Sequence, residues 1–199
     1  MARTRASDFE EKRHGLLLDA ARVFASQGME KASMSQIATE AGVSKSLLYH
    51  YYPSKDALIF AIIHAHLEEL EAALKDADDP TLPPHDRLLR LVSTVLEAYR
   101  GADDQHKVQL NAGPALSEEQ KAKITEMERQ IVRHFSIALR DMHPELDQPE
   151  RPLLMPVTMS LFGMMNWVYM WFRDGGRISR EDYAGIATTL ILEGVKAVR

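Results

Sequence analysis

Two short apolar-periodic segments meet at Gly42-Val43-Ser44, and this junction constrains the fold more than any other part of the 199-residue chain. Glycine reaches positive φ without a Cβ penalty, Val43 can plug the angle between two helices, and Ser44 can cap a second helix over Lys45–Tyr51. Upstream, Ser33-Met34-Ser35-Gln36 has the form of a capping box, in which the serine hydroxyl and the glutamine side chain each satisfy an orphan backbone N–H. It predicts a short helix over Met34–Ala41. Two capped helices about a sharp turn make residues 33 to 52 a helix-turn-helix.

The rest of the chain reads as helix throughout. Leu16, Leu17, Ala20, Ala21 and Phe24 form one stripe, and Gly28 supplies a left-handed stop. Pro53 and Ser54 open a long helix over Lys55–Lys75, with Leu58, Ile62, Ala65 and Leu70 inward. Asp76–Pro84 is polar and holds three prolines, so it reads as a loop. Leu88, Leu91, Val92, Val95, Leu96 and Tyr99 mark the next helix, which ends near Gly101, and a shorter one fits between Asp104 and Asn111. A second capping box, Ser117–Gln120, starts a helix whose stripe is Ile124, Met127, Ile131, Phe135 and Leu139. After Pro149 and Pro152 comes one apolar helix over Leu153–Arg173, stopped by Gly175-Gly176. Ser179–Asp182 then opens a last helix with Tyr183, Ile186, Leu190, Ile191 and Val195 on its stripe. No alternating strand pattern is evident, so an all-α fold of about nine helices is expected.

Composition removes several chemistries. Cysteine is absent, which excludes disulfides, thiol nucleophiles and cysteine-held zinc or iron–sulfur centres, and agrees with a cytoplasmic protein. The apolar stretch 153–172 approaches a membrane span in length, but Pro156, Asn166 and the adjoining Arg173 and Asp174 favour a buried helix, and no membrane partner is expected. His64 and His66 point about 200° apart on a helix, unlike an i, i+4 zinc pair, and no metal or other required cofactor is expected.

The net charge of −5 runs against nucleic-acid binding until the chain is divided. Residues 1 to 55 hold eight Lys and Arg against six Asp and Glu, net +2; the remainder holds sixteen against twenty-three, net −7. The positive share therefore sits with the helix-turn-helix. In its second helix Lys45, Ser46, Tyr49 and His50 are too polar for a core, whereas Leu48 suits one. Lys45 and Ser46, at the N-terminal end, are candidates for base edges. Tyr49 and His50 are suited to phosphate, and Lys55 would add a positive point charge. The plainer alternative is a set of ordinary surface residues on a helical protein.

The run from Ser35 to Leu58, with its Ile37-Ala38 pair, Ala41-Gly42-Val43-Ser44 turn, Tyr49-His50-Tyr51-Tyr52 and Ser54-Lys55 before Ala57-Leu58, resembles the signature of the TetR family of bacterial repressors. AARVFASQG precedes it, and the likeness covers roughly residues 10 to 60. The resemblance implies a three-helix DNA-binding head, residues 1–55, and an all-α ligand-binding and dimerising body, residues 56–199. It implies a homodimer on a palindromic operator, released when a small-molecule effector binds. Ser35, Lys45, Ser46, Tyr49, His50 and Lys55 match positions that commonly touch DNA in that family, while Tyr52 belongs to the core.

In the body, the last two helices are apolar around much of their circumference, which suggests one face against the chain's own core and one against a partner. Leu161–Phe172 combines two Trp and several Met, a composition suited either to an adaptable pocket or to a core. It is similar to members that sense acyl-CoA thioesters. Met164 and Trp167 are then candidates for the acyl part, and Arg129, Arg133, Arg173 and Arg177 for phosphates. No catalytic constellation is apparent. The competing reading is a helical acyl-CoA-binding protein or enzyme without a DNA-binding role.

Overall fold

A computed structural model describes residues 2–197, with side chains from Lys12 to Ala197. The fold is all-α apart from one minimal hairpin. The helices are α1 (Ala2–Gln27), α2 (Met34–Glu40), α3 (Lys45–Tyr51), α4 (Lys55–Ala77), α5 (Pro84–Ala98), α6 (Asp103–Asn111), α7 (Glu118–Met142), α8 (Leu154–Asn166), α9 (Val168–Trp171) and α10 (Arg180–Ala197). Two-residue strands, β1 (Asp147–Gln148) and β2 (Arg151–Pro152), pair antiparallel with Asp147 opposite Pro152. Strands this short display no alternation, which is why the sequence pattern did not announce them.

Local chemistry explains most boundaries. Gly28, Gly42 and Gly101 have positive φ and stand just past helix ends, whereas Gly175, also at positive φ, lies in the Arg173–Gly176 turn, beyond the end of α9 at Trp171 that it was expected to make. Ser33, Ser44 and Ser54 accept from the backbone N–H groups of Gln36, Leu47 and Ala57, capping α2, α3 and α4. The capping box of α7 closes in both directions: Gln120 N–H donates to Ser117 Oγ at 3.3 Å, and Ser117 N–H to Gln120 Oε1 at 3.0 Å. Ser179 and Asp182 do the same at α10.

The chain divides into two compact units, one of Met1–Glu68 with Gly101–Thr125 and one of Glu69–Arg100 with Glu126–Arg199. In the first, α1 packs on α2 and α6, and α2 on α3. Its core gathers Leu16, Ala20, Phe24, Ile37, Leu48, Leu58 and Ile62. The resemblance implies a head of residues 1–55, and the compact unit that contains it also takes in part of α4 and the later helix α6. Sequence punctuation marks where helices begin and is blind to which later helix packs beside an earlier one.

In the second unit α10 packs on α5 and α8, over a core of Leu88, Leu91, Val95, Phe135, Leu139, Phe162 and Met165. The rings of Phe135 and Phe162 meet edge to face at 4.9 Å. Charged groups inside this unit are paired. Arg87 Nε donates to Asp78 at 2.6 Å and its Nη1 to Asp141 at 3.0 Å, while His134 Nδ1 lies 2.7 Å from the other Asp78 oxygen. Partial burial pushes the Asp78 carboxyl up, but hydrogen bonds from Arg87 and His134 outweigh it and hold the group below its ordinary value. Arg180 is likewise buried, with two nitrogens on Asp174 at 2.8 Å and a third donating to Leu96 O at 2.8 Å.

Two expectations need correction. The single apolar helix over Leu153–Arg173 is broken: α8 ends at Asn166, and α9 is one turn closed by Phe172 N–H donating to Val168 O at 2.9 Å. At the break Asn166 Oδ1 accepts from the buried Tyr99 hydroxyl at 2.9 Å, a distant partner that helical periodicity does not register. In α10 the expected inward stripe is partly outward. Ala184, Ala187, Thr188, Leu192 and Val195 are buried, whereas Ile186 and Leu190 are 45% and 60% exposed.

In the first unit His66 of α4 and His106 of α6 are both buried, their ring centroids 6.3 Å apart. Burial, and secondarily the charge of His106, lowers the pKa of His66 to about 4. A base whose pKa falls on folding is neutral in both states above its unfolded value of 6.5, and below that the unfolded chain binds the proton first. The contribution of His66 to stability should therefore decline as pH falls from 6.5 to 4, by on the order of 3 kcal/mol, and stay constant below. Urea unfolding across that range should show the decline in the native sequence and a shallower one in His66→Gln.

Candidate nucleic-acid interface

Helix α3 is seven residues long, and Leu48 alone among them is buried, at 0% exposure. At about 100° per residue, Ser46 and His50 stand nearly opposite Leu48 on the helix, Tyr49 lies at one side of that outer face, and Lys45 projects on the same side as Tyr49 from the first turn. All four are exposed. One anchored side chain thus turns the remaining surface of the helix outward. Tyr52, just beyond the helix, is buried as expected of a core aromatic.

The outer face is partly organised before any ligand arrives. Lys45 Nζ lies 5.8 Å from the centroid of the Tyr49 ring, and the His50 and Tyr51 rings meet edge to face at 5.7 Å. A lysine held near a phenol offers a cation and a hydroxyl side by side, a pairing suited to phosphate and base-edge acceptors. Ser35 is exposed in the first turn of α2, where its carbonyl accepts from Thr39 Oγ1 at 3.0 Å. Leu47, 41% exposed on α3, was not among the sequence candidates. Its position outside the polar set hid it, although a wheel centred on Leu48 would have placed it at the edge of the outer face; an exposed leucine there suits a thymine methyl.

Lys55 stands apart from the other five candidates. Instead of presenting a charge to solvent, its ammonium lies 2.7 Å from Met29 O, 3.2 Å from Glu30 O and 3.4 Å from Ala32 O.

The effector candidates occupy several elements of the second unit. Arg129 and Arg133 are exposed one turn apart on α7, and Arg129 approaches Glu126 at 3.9 Å. Arg173 donates to Phe172 O at 3.0 Å, and Arg177 is exposed in the segment before α10. Met164 is half-buried on α8, its carbonyl accepting from Tyr183 at 3.2 Å. Trp167 is 58% exposed, so its ring belongs to an outer apolar surface with Met170 and Trp171. Among the described residues no group of three or more His, Asp or Glu is arranged to hold a metal ion, and no helix is long and apolar enough to cross a membrane.

A family model described as "Bacterial regulatory proteins, tetR family" matches residues 16–62, and one described as "Tetracyclin repressor-like, C-terminal domain" matches residues 81–195. The chain belongs to the TetR family. It is similar to a TetR-family transcriptional regulator from Bordetella parapertussis of known crystal structure, at 31% identity and a TM-score of 0.83, with 94% of this chain and 97% of that one covered. The structure of AibR in complex with isovaleryl coenzyme A and operator DNA superposes with a TM-score of 0.75 at 26% identity, covering 90% and 98% of the two chains. The HTH-type transcriptional repressor KstR2 of Mycobacterium tuberculosis is 23% identical over 191 residues, 96% of either chain.

As a TetR-family transcriptional regulator the protein has its helix-turn-helix where the first family model lies, and Gly42 is the residue on which the angle between α2 and α3 turns. Its φ is +64°, and a Cβ placed there would meet no atom within 4 Å. Gly42→Ala should therefore lose about 1 kcal/mol through backbone strain alone. Chemical denaturation should register that loss, and it should equal the loss on Gly28→Ala, where φ is +85° with the same open space.

Proposed function

We propose that two copies of this TetR-family chain bind a palindromic operator through α3, repressing transcription until a small-molecule effector of the acyl-CoA class releases them. The observation that carries the DNA half is the burial of α3 on Leu48 alone, which leaves Lys45, Ser46, Tyr49 and His50 outward. A helix so mounted fits the major groove, about 12 Å wide, by its side chains' reach. Lys45 and Ser46 take base edges; Ser35, Tyr49 and His50 take phosphates and set the register.

The dimer half is supported by the outer apolar surface of the second unit. Met155, Met159, Trp167, Met170, Trp171, Ile186 and Leu190 are each between 45% and 60% exposed. Seven large apolar side chains turned outward on α8, α9, α10 and the α8–α9 junction are more than a monomer's scattered exposures, and a second copy on a two-fold axis covers such a surface with itself. Two heads on that axis read the two halves of a palindrome.

The effector class is supported by the AibR complex with isovaleryl coenzyme A, a structural relative at 26% identity. Within this chain Arg129, Arg133, Arg173 and Arg177 are the cations proposed for phosphates, and Met164 and Trp167 the contacts for the acyl part. The protein on this reading is a cytoplasmic regulator without catalytic activity. An acyl-CoA-binding protein or enzyme lacking a DNA role is not favoured, because the family model covers the head itself.

Binding to random duplex DNA across a salt series tests the DNA half. Random duplex offers no cognate base edge, so there the Lys45 ammonium falls to a phosphate, and Lys45→Ala with Tyr49→Ala should weaken binding and make the slope of log K against log salt shallower by about 0.9, the share of that one cation. An unchanged affinity and slope would sink the reading. Native mass spectrometry should give a dimer, and Leu190→Glu, which sets like charges at the proposed dimer surface, should give a folded monomer with at least tenfold weaker duplex binding. A panel of acyl-CoA thioesters added to the same sample should produce a bound mass, and a panel without one removes the effector class.

A further inference from the structure

An ammonium group has three N–H donors and no acceptor, and that of Lys55 meets three backbone carbonyls at once, those of Met29, Glu30 and Ala32. All three belong to the segment between the end of α1 and the start of α2. Other bonds shape this segment as well: Gly28 N–H donates to Phe24 O at 2.9 Å, and Ala32 N–H to Gly28 O at 3.1 Å. Between Gly28 and Ser33 the chain makes a tight bend whose carbonyls converge on one point, and the point is filled by a cation from a helix that begins more than twenty residues later. Carbonyls gathered this closely repel one another unless a donor sits among them.

We propose that Lys55 is a positioning residue of the DNA-binding head: its ammonium organises the 29–32 turn, fixes the start of α2 against the start of α4, and does not neutralise a DNA phosphate. The turn leads directly into Ser33, whose hydroxyl caps α2, and so into Ser35 two residues later. At the other end Lys55 is the first residue of α4, itself held by the Ser54 cap. The lysine therefore ties the entry of the first helix of the motif to the helix that follows the motif. A phosphate could recruit this ammonium only by displacing carbonyls that already take all its donors.

The functional consequence rests on the DNA-binding reading above, and the experiment keeps the two apart. Random-duplex affinity is measured across a salt series for the native sequence, Lys45→Ala and Lys55→Met, with backbone hydrogen exchange of each free protein. Lys45→Ala should make the slope shallower by about 0.9. Lys55→Met should weaken binding about tenfold with the native slope, and should speed exchange at the amides of Ala32 to Ile37 while leaving α5 and α8 unchanged. A shallower slope for Lys55→Met with native exchange overturns the proposal. A native Lys45→Ala slope removes the DNA reading and leaves the exchange data to judge the turn alone. Should Lys55→Met fail to fold, ammonium 1H–15N spectra of the native protein decide. The Lys55 signal should be protected without DNA and unmoved by it, and a signal that becomes protected only with duplex overturns the proposal.

Discussion

Burial of the Leu48 side chain is the interaction on which the head depends. A seven-residue helix is too short to persist alone, because nucleation fixes several residues for one hydrogen bond and few bonds follow. Its cap at Ser44 offsets part of that cost, and Leu48, fully buried, supplies the only large apolar anchor within it. The economy of that arrangement is also its use. With one anchor, the other side chains of α3 are spared packing duty, and polar and aromatic groups of different sizes can stand on its outer face without disturbing the core.

How far this was legible from the sequence varies with the range of the interaction. The caps at Ser33, Ser44, Ser54, Ser117 and Ser179 are contacts between residues three apart, and each was readable from residue type and spacing. Leu48 as an inward residue followed from its apolar side chain among neighbours too polar for a core. What escaped depends on partners far along the chain. Nothing near Lys55 says that carbonyls more than twenty residues earlier will surround its ammonium. Tyr99 meeting Asn166, and Arg180 reaching Leu96 O, are similarly remote. The positive charge at residue 55 was visible; its direction was not.

The effector half is less legible for a different reason. Tryptophan, methionine and phenylalanine in one run describe the material of a pocket, a core and a subunit contact equally well, since all three exclude water. The structure distributes that run among separate roles. Met165 and Phe162 are core, Met164 is half-buried, and Trp167, Met170 and Trp171 face outward. A period of 3.6 residues identifies that a helix has an apolar face, but a helix apolar on several faces leaves the assignment of each face open.

Size settles that assignment in α10, where hydropathy points the wrong way. Two large apolar side chains of its expected stripe, Ile186 and Leu190, are outside, while Ala184, Ala187 and Thr188 are fully buried, with Leu192 and Val195 following them on the inner face. Helices approach to a separation set by the side chains at their contact, so a small inner face lets α10 lie close against α5 and α8, whose own large residues, Leu88, Leu91 and Phe162 among them, fill the space between. Turning Ile186 and Leu190 inward would add volume to a region those residues already fill, and overpacking carries its own penalty. The large residues are thus displaced to the surface by complementarity inside the unit. An outward apolar stripe produced this way has a definite shape and a fixed backbone beneath it, which distinguishes it from the incidental exposure of a mobile side chain.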